Sequence, residues 1–343
     1  MSKIITPGKI HLEASTLCQL HCPCCTTASR DIESGVGFGY LKFSDFKKLL
    51  DEKRGAKEIE LSNFGEIFLN PELHAIIRYA YEKHVRLYAD NGVNFNTVTD
   101  EMLECLVKYR FQRLSVSIDG ATQQTYQKYR IKGDFNTVID NIRKLNAYKI
   151  KFHTSLPHLI WQFVIFGHNE HEIPAAKKLS IELGMTFHPK LSWDLDFSPV
   201  KNPDFVKKAS GLCAIDRDEF RKKKGKNYSI AICHQLWEEP QINWDGKVFG
   251  CCWNYWKDFG GNVFTDGLHF SLNSEKITYA REMLQGIKPP RDDIPCIRCD
   301  LYLEYANEKK WLRRGFARSL FCIAKYWYQE LRLERLFRTW RLV

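Results

Sequence analysis

Six short runs rich in apolar and β-forming residues lie near residues 9–14, 57–62, 85–89, 112–118, 159–166 and 185–188. They alternate with amphipathic stretches near 43–53, 72–83, 99–109, 135–149 and 170–183. Strand signals separated by helix signals are the pattern of β/α units around a parallel sheet. Six units suit an α/β fold of the partial (β/α)6, TIM-like barrel type rather than a closed ring of eight. Ser44 and Thr99 read as caps of the first and third helices. In parallel barrels the functional groups collect at the carboxyl ends of the strands, so the chemistry is sought in the segments that follow each run.

The segment after the first run answers at once. Cys18, Cys22 and Cys25 stand in the order C-x3-C-x2-C directly behind Lys9-Ile10-His11-Leu12-Glu13-Ala14. Four-iron clusters are held by cysteine thiolates and ordinarily need four. A tight loop that offers three leaves one iron for an exchangeable ligand, and the open iron is where chemistry starts. Twelve cysteines in 343 residues would suggest disulfides in a short secreted chain, but no charged start followed by an apolar region is present. Clustered cysteines then read as metal ligands in a reducing, cytoplasmic setting. No run of about 18 apolar residues occurs, which argues against a membrane-spanning helix.

The later landmarks fall in order behind this loop. Leu61-Ser62-Asn63-Phe64-Gly65-Glu66 with Asn70-Pro71-Glu72-Leu73, then Asp90-Asn91-Gly92, then Ser115-Val116-Ser117-Ile118-Asp119-Gly120 followed by Tyr126 and Arg130, each close a strand. Taken together they resemble the radical S-adenosylmethionine (radical SAM) superfamily over about residues 8–300. The resemblance implies a [4Fe–4S] cluster on Cys18, Cys22 and Cys25 with S-adenosylmethionine on its open iron. Reductive cleavage of S-adenosylmethionine then gives a 5′-deoxyadenosyl radical that abstracts hydrogen. It further implies cofactor contacts from Gly65, Glu66, Asn91, Ser117, Arg130 and Gln162, and a reductant such as flavodoxin or ferredoxin. One departure stands out: the residue before the third cysteine, usually aromatic in that family, is Cys24.

After about residue 190 the pattern shifts to Trp-, Asp-, Pro- and Lys-rich sequence, read as a linker over 191–230 after a barrel core over 1–190. The basic run Arg221-Lys222-Lys223-Lys224-Gly225-Lys226 reads as a solvated loop, and no nucleic-acid partner is expected. A second cysteine set follows in 231–305: Cys233, then Cys251 and Cys252 behind an Asp245-Gly246 hairpin turn, then Cys296 and Cys299. Four thiolates satisfy a cluster completely, whereas a zinc ribbon would use two Cys-x2-Cys knuckles and this set has one. This half is similar to the twitch or SPASM auxiliary-cluster domains of radical SAM enzymes. The similarity implies one auxiliary [4Fe–4S] cluster on Cys233, Cys251, Cys296 and Cys299, with Cys252 the competing ligand.

Of the remaining candidates, His11, His21, His168, His171 and His234 fit no ligand spacing and read as surface or loop residues. Cys105 reads as core. Cys213 is a free thiol between the halves, either a hydrogen donor to a substrate radical or a plain loop residue. Asp194 and Asp196 are either a substrate-facing base or solvated loop. From Lys309 to Val343, ten cationic residues face two acids, a net +8 of the chain's +10, with aromatics interleaved. That tail, 306–343, reads as a basic amphipathic helix with two equal options: contact with an anionic membrane surface or packing on the protein.

Three functional classes are open on this reading. The first is a radical oxidoreductase acting on a small polar or sugar-type molecule, with the auxiliary cluster as electron acceptor. The second is a maturase or epimerase acting on a peptide or glycan. The third is a non-catalytic metal-binding scaffold at a membrane surface.

Overall fold

The computed structural model describes residues 4–52, 55–194 and 196–312. Among these, seven strands form one sheet: β1 (Lys9–Leu12), β2 (Glu58–Glu60), β3 (Arg86–Val93), β4 (Arg113–Ser117), β5 (His158–Ile165), β6 (Thr186–Leu191) and β7 (Gln241–Ile242). Their spatial order is β6-β5-β4-β3-β2-β1-β7, every pairing parallel. β6 and β7 are the two edges, so the sheet is an open barrel rather than a ring. The seventh strand, two residues long, comes from beyond the six expected units and docks on the outer side of β1.

The helices that cross between strands are α1 (Phe43–Asp51), α2 (Leu73–Glu82), α3 (Asp100–Lys108), α4 (Gln123–Tyr129), α5 (Phe135–Lys151) and α6 (Ile173–Glu182). Beyond β6 come α7 (Pro203–Ser210), α8 (Arg217–Lys224), α9 (Gln235–Glu238), α10 (Leu268–Ser271), α11 (Glu275–Leu284) and α12 (Asp300–Glu308). The expected tail helix falls, from residue 313 onward, outside the described residues, as does Cys322. No helix among the described residues is long and apolar enough to cross a membrane.

Side chains alternate across a strand, and here the two faces differ in kind. Ile10 and Leu12, Ile59, Leu87 and Ala89, Leu114 and Val116, and Trp161 and Phe163 point outward into one core shared with the helices. The inward positions are polar: Lys9, His11 and Glu13, Glu60, Asp90, Arg113, Ser115 and Ser117, and Gln162. A closed barrel fills its interior with bulky branched residues; this one keeps a hydrogen-bonded polar wall on its concave side.

The caps divide. Thr99 accepts from the Met102 N–H at 3.2 Å at the start of α3. Ser44 is not a cap, because the cap position of α1 is Lys42 with no side-chain bond. The Glu72 carboxylate does that job instead, accepting the Phe43 N–H at 2.5 Å. His11 also departs from expectation. It is 4% exposed on the inner face of β1, with Nε2 3.3 Å from Glu239, because period-two alternation turns it into the barrel.

Candidate active site

The cysteine loop is pinned to the barrel rim by backbone contacts. Thr16 N–H donates to the Gly39 carbonyl at 2.9 Å, and Gly39 N–H donates back to Thr16 Oγ1 at 2.9 Å. The Glu66 N–H donates to Leu17 O at 2.8 Å. Gly65 lies so close that any Cβ would run into the Ser15 carbonyl and the Thr16 backbone, so this approach requires glycine. A turn from the Cys25 N–H to Cys22 O, 3.1 Å, then folds the loop back.

Cys18, Cys22 and Cys25 gather against Leu20, Tyr129, Val164 and Phe166. Burial pushes the Cys18 thiol up to about 12, with Glu66, Cys22 and Cys25 adding to it. Burial also raises Cys22, but there Arg130 opposes it, with Nη1 3.6 Å from the sulfur. Arg130 is itself held by Asp119, Nε to Oδ2 2.6 Å, and Asp119 is completely buried. One edge of the Arg130 fork is thus committed to Asp119 through Nε. Cys24 packs in the same cluster, its thiol raised to about 12 by burial and a hydrogen bond to Asp194, with Cys22 and Cys25 adding to it.

The other residues named from sequence fall along the same rim. Glu66 is buried, accepts the Asn94 N–H at 2.5 Å and the Phe68 N–H at 3.3 Å, and is raised by burial to about 7. Asn91 donates to Ser62 O at 2.7 Å. Gly92, at φ +138°, brings its backbone against the Ser117 hydroxyl. Gln162 spans β4 to β6, donating to Ser117 Oγ at 3.4 Å and accepting from Lys190 Nζ at 2.7 Å. Asp194 turns inward on its own loop, accepting the Asp196 and Phe197 N–H groups at 2.9 and 2.8 Å, so it serves as a turn residue. Cys213 stands exposed between α7 and α8 and joins neither cysteine group.

The second set converges on a cavity lined by Cys233, Cys251, Cys296 and Cys299 together with Trp253, Phe259 and Tyr302. Gly246 at φ +89° and the Asn243–Lys247 backbone pair make the turn that returns Cys251 beside Cys233. Cys252 is not among the lining residues, and its thiol bonds Gln235. Desolvation raises the Cys233, Cys251, Cys296 and Cys299 thiols, and neighbouring sulfurs add to this in three of them. Ionising four such thiols together is costly unless iron or another cation supplies the missing charge. Among the described residues no three His, Cys, Asp or Glu side chains are arranged to hold a single metal ion.

Lys190, Arg217, Asn94 and Asp119 belong to this neighbourhood and were not singled out from sequence. The signal was present, because Lys9-Ile10-His11-Leu12-Glu13 and Arg113-Leu114-Ser115-Val116-Ser117 alternate polar with apolar where a fully buried parallel strand would be apolar throughout.

Residues 12–179 match the family model described as the Radical SAM superfamily. The AdoMet-dependent heme synthase of Methanosarcina barkeri is 31% identical over 181 residues, which is 52% of this chain and 48% of that protein. The chain thus spans about half the length of the curated relative it matches. SuiB of Streptococcus suis bound to S-adenosylmethionine superposes with a TM-score of 0.60 at 10% identity, covering 86% of this chain and 71% of SuiB. The enzyme anSMEcpe with bound AdoMet and a peptide gives 0.53 at 14% identity, covering 88% and 97%. Likeness at such identities is likeness of fold. Through its barrel, residues 12–179, the chain is thus similar to the radical SAM superfamily, whose members use a [4Fe–4S] cluster and S-adenosylmethionine.

Proposed function

We propose that the protein is a radical SAM oxidoreductase with two clusters, one starting the reaction and one accepting the substrate's electron. The observation that carries this reading is the second cysteine set, four thiols around one cavity beside the barrel. A twitch- or SPASM-type role for residues 231–305 follows from the same observation.

The first cluster, bound to Cys18, Cys22 and Cys25, supplies one-electron cleavage of S-adenosylmethionine and with it a radical able to abstract hydrogen. The chain's own residues prepare the place for it. Leu20, Val164 and Phe166 keep water off the thiols. Arg130, fixed by Asp119, places positive charge against Cys22. Glu66 is oriented by two backbone donors to face a cationic amino group, and Ser117 and Gln162 line the floor of the chamber. The polar inner wall suits a polar substrate, small or sugar-like, better than an apolar one.

A second reading is modification of a peptide. It is favoured by SuiB, bound to the precursor peptide SuiA, and by anSMEcpe, bound to the Cp18Cys peptide, which share this fold. The test is anaerobic: reconstituted protein is given S-adenosylmethionine and a strong reductant, and 5′-deoxyadenosine is quantified. Wild type is expected to form it and Cys22→Ala to form none. Equal amounts from both would overturn the enzymatic reading.

A further inference from the structure

Positive charge around the barrel interior is mostly paired: Arg113 with Asp90, Lys9 with Glu239, and Arg130 with Asp119. Lys190 and Arg217 differ. Among the described residues neither has a carboxylate at ion-pair distance, although both are half-buried. Lys190, near the carboxyl end of β6, gives a hydrogen to the neutral Gln162 amide at 2.7 Å. Arg217, the first residue of α8, donates from Nη1 to Ser229 Oγ at 2.9 Å and lies over the rings of Tyr228 and Trp253, at 5.1 and 5.8 Å. Its Nε is buried with no partner.

The position of the pair is informative. Gln162, which Lys190 touches, sits on the inner wall behind the three-cysteine loop, and Trp253, under Arg217, lines the four-cysteine cavity. Lys190 thus reaches the inner wall through Gln162 and Arg217 reaches the edge of the four-cysteine cavity through Trp253, and the Arg217 and Cys252 charges both act on Lys190. Burial, then the Arg217 charge, holds the Lys190 amine below its ordinary pKa, and burial lowers Arg217 as well. Two desolvated like charges with a donor left over are costly unless an anion comes between them. A guanidinium offers a planar fork to two oxygens, and an ammonium adds a point charge.

We infer that Lys190 and Arg217 form a subsite for an anionic group of the substrate, a carboxylate or a phosphate. The inference rests on reading the inner wall as the reaction chamber. It narrows the polar substrate to one that carries negative charge within reach of both cysteine sets.

The test uses the full chain, reconstituted anaerobically and saturated with S-adenosylmethionine, titrated calorimetrically with malonate, inorganic phosphate and the neutral malonamide. Malonate or phosphate is expected to bind and malonamide not, and the tighter anion names the group. Lys190→Gln and Arg217→Gln should each weaken anion binding about tenfold. Lys190→Arg should keep most of it, and Lys201→Gln, on the exposed surface, should change nothing. Unchanged binding in both Gln variants, equal binding of malonamide, or no binding of either anion would overturn the subsite. So would loss of S-adenosylmethionine binding in place of anion binding, which would assign the pair to the cofactor. Anion binding as expected without any 5′-deoxyadenosine would sink the enzymatic reading and leave the subsite standing. Formation of 5′-deoxyadenosine by wild type without anion binding would do the reverse.

Discussion

Asp119 meets Arg130 at 2.6 Å and the Val164 N–H at 2.6 Å, and it has no exposure to solvent. Deleting its cation strands a buried carboxylate with a single donor, so Arg130→Met should cost about 3–5 kcal/mol in urea unfolding. A loss below about 1 kcal/mol would mean that Asp119 is already neutral. Glu66 gives a pH test. Burial raises its pKa from 4.5 to about 7, so between those values the native state holds a proton that the unfolded chain has released. Its contribution is therefore fully present below about pH 4.5 and is lost as pH rises through about 7, with a slope of at most about 1.4 kcal/mol per pH unit. Glu66→Gln should flatten the pH dependence of unfolding free energy between about pH 4.5 and 7; an unchanged slope would assign the effect elsewhere, Glu13 being raised to about 8 by the same cause.

At the scale of elements, the turn that ends at Cys251 and Cys252 separates two adjacent thiols. Cys251 borders the four-cysteine cavity, and Cys252 faces Gln235. Cys251→Ala should lower iron by about four per chain, while Cys252→Ala should retain it; the opposite result would exchange their roles. The helix starts test capping in the same way. Thr99→Ala should destabilise by about 1 kcal/mol, and Ser44→Ala, inside α1 rather than at its cap, by only a few tenths. These cases show what sequence made legible. The strands and helices of the barrel were readable because apolar periodicity dictates them locally, and Thr99 was readable because its partner is three residues away. Ser44 misled because the helix starts before it: the first helical N–H, that of Phe43, is taken by Glu72, 29 residues downstream, a contact no local pattern encodes, and the Phe46 N–H that Ser44 would have capped bonds the Lys42 carbonyl.

For the molecule as a whole, the C-x3-C-x2-C spacing marked the first cysteine loop because its thiols lie close along the chain, whereas Cys233, Cys251, Cys296 and Cys299 are brought to one cavity by the fold. The inner wall was harder to read. Lys190 and Arg217 are 27 positions apart, and it is the fold rather than any motif that brings the charge of one to bear on the other. The same holds for Arg130, whose service to Cys22 spans 108 positions. On the proposed function, the open barrel and the segment after it carry two separate cysteine-bound centres. The most direct test is iron and acid-labile sulfide per chain, after anaerobic reconstitution, in wild type, in Cys18/Cys22/Cys25→Ala and in Cys233/Cys251/Cys296/Cys299→Ala. The account predicts about eight irons in wild type and about four in each variant. About four in wild type, with zinc in the second set or with all iron lost in one variant, would contradict it.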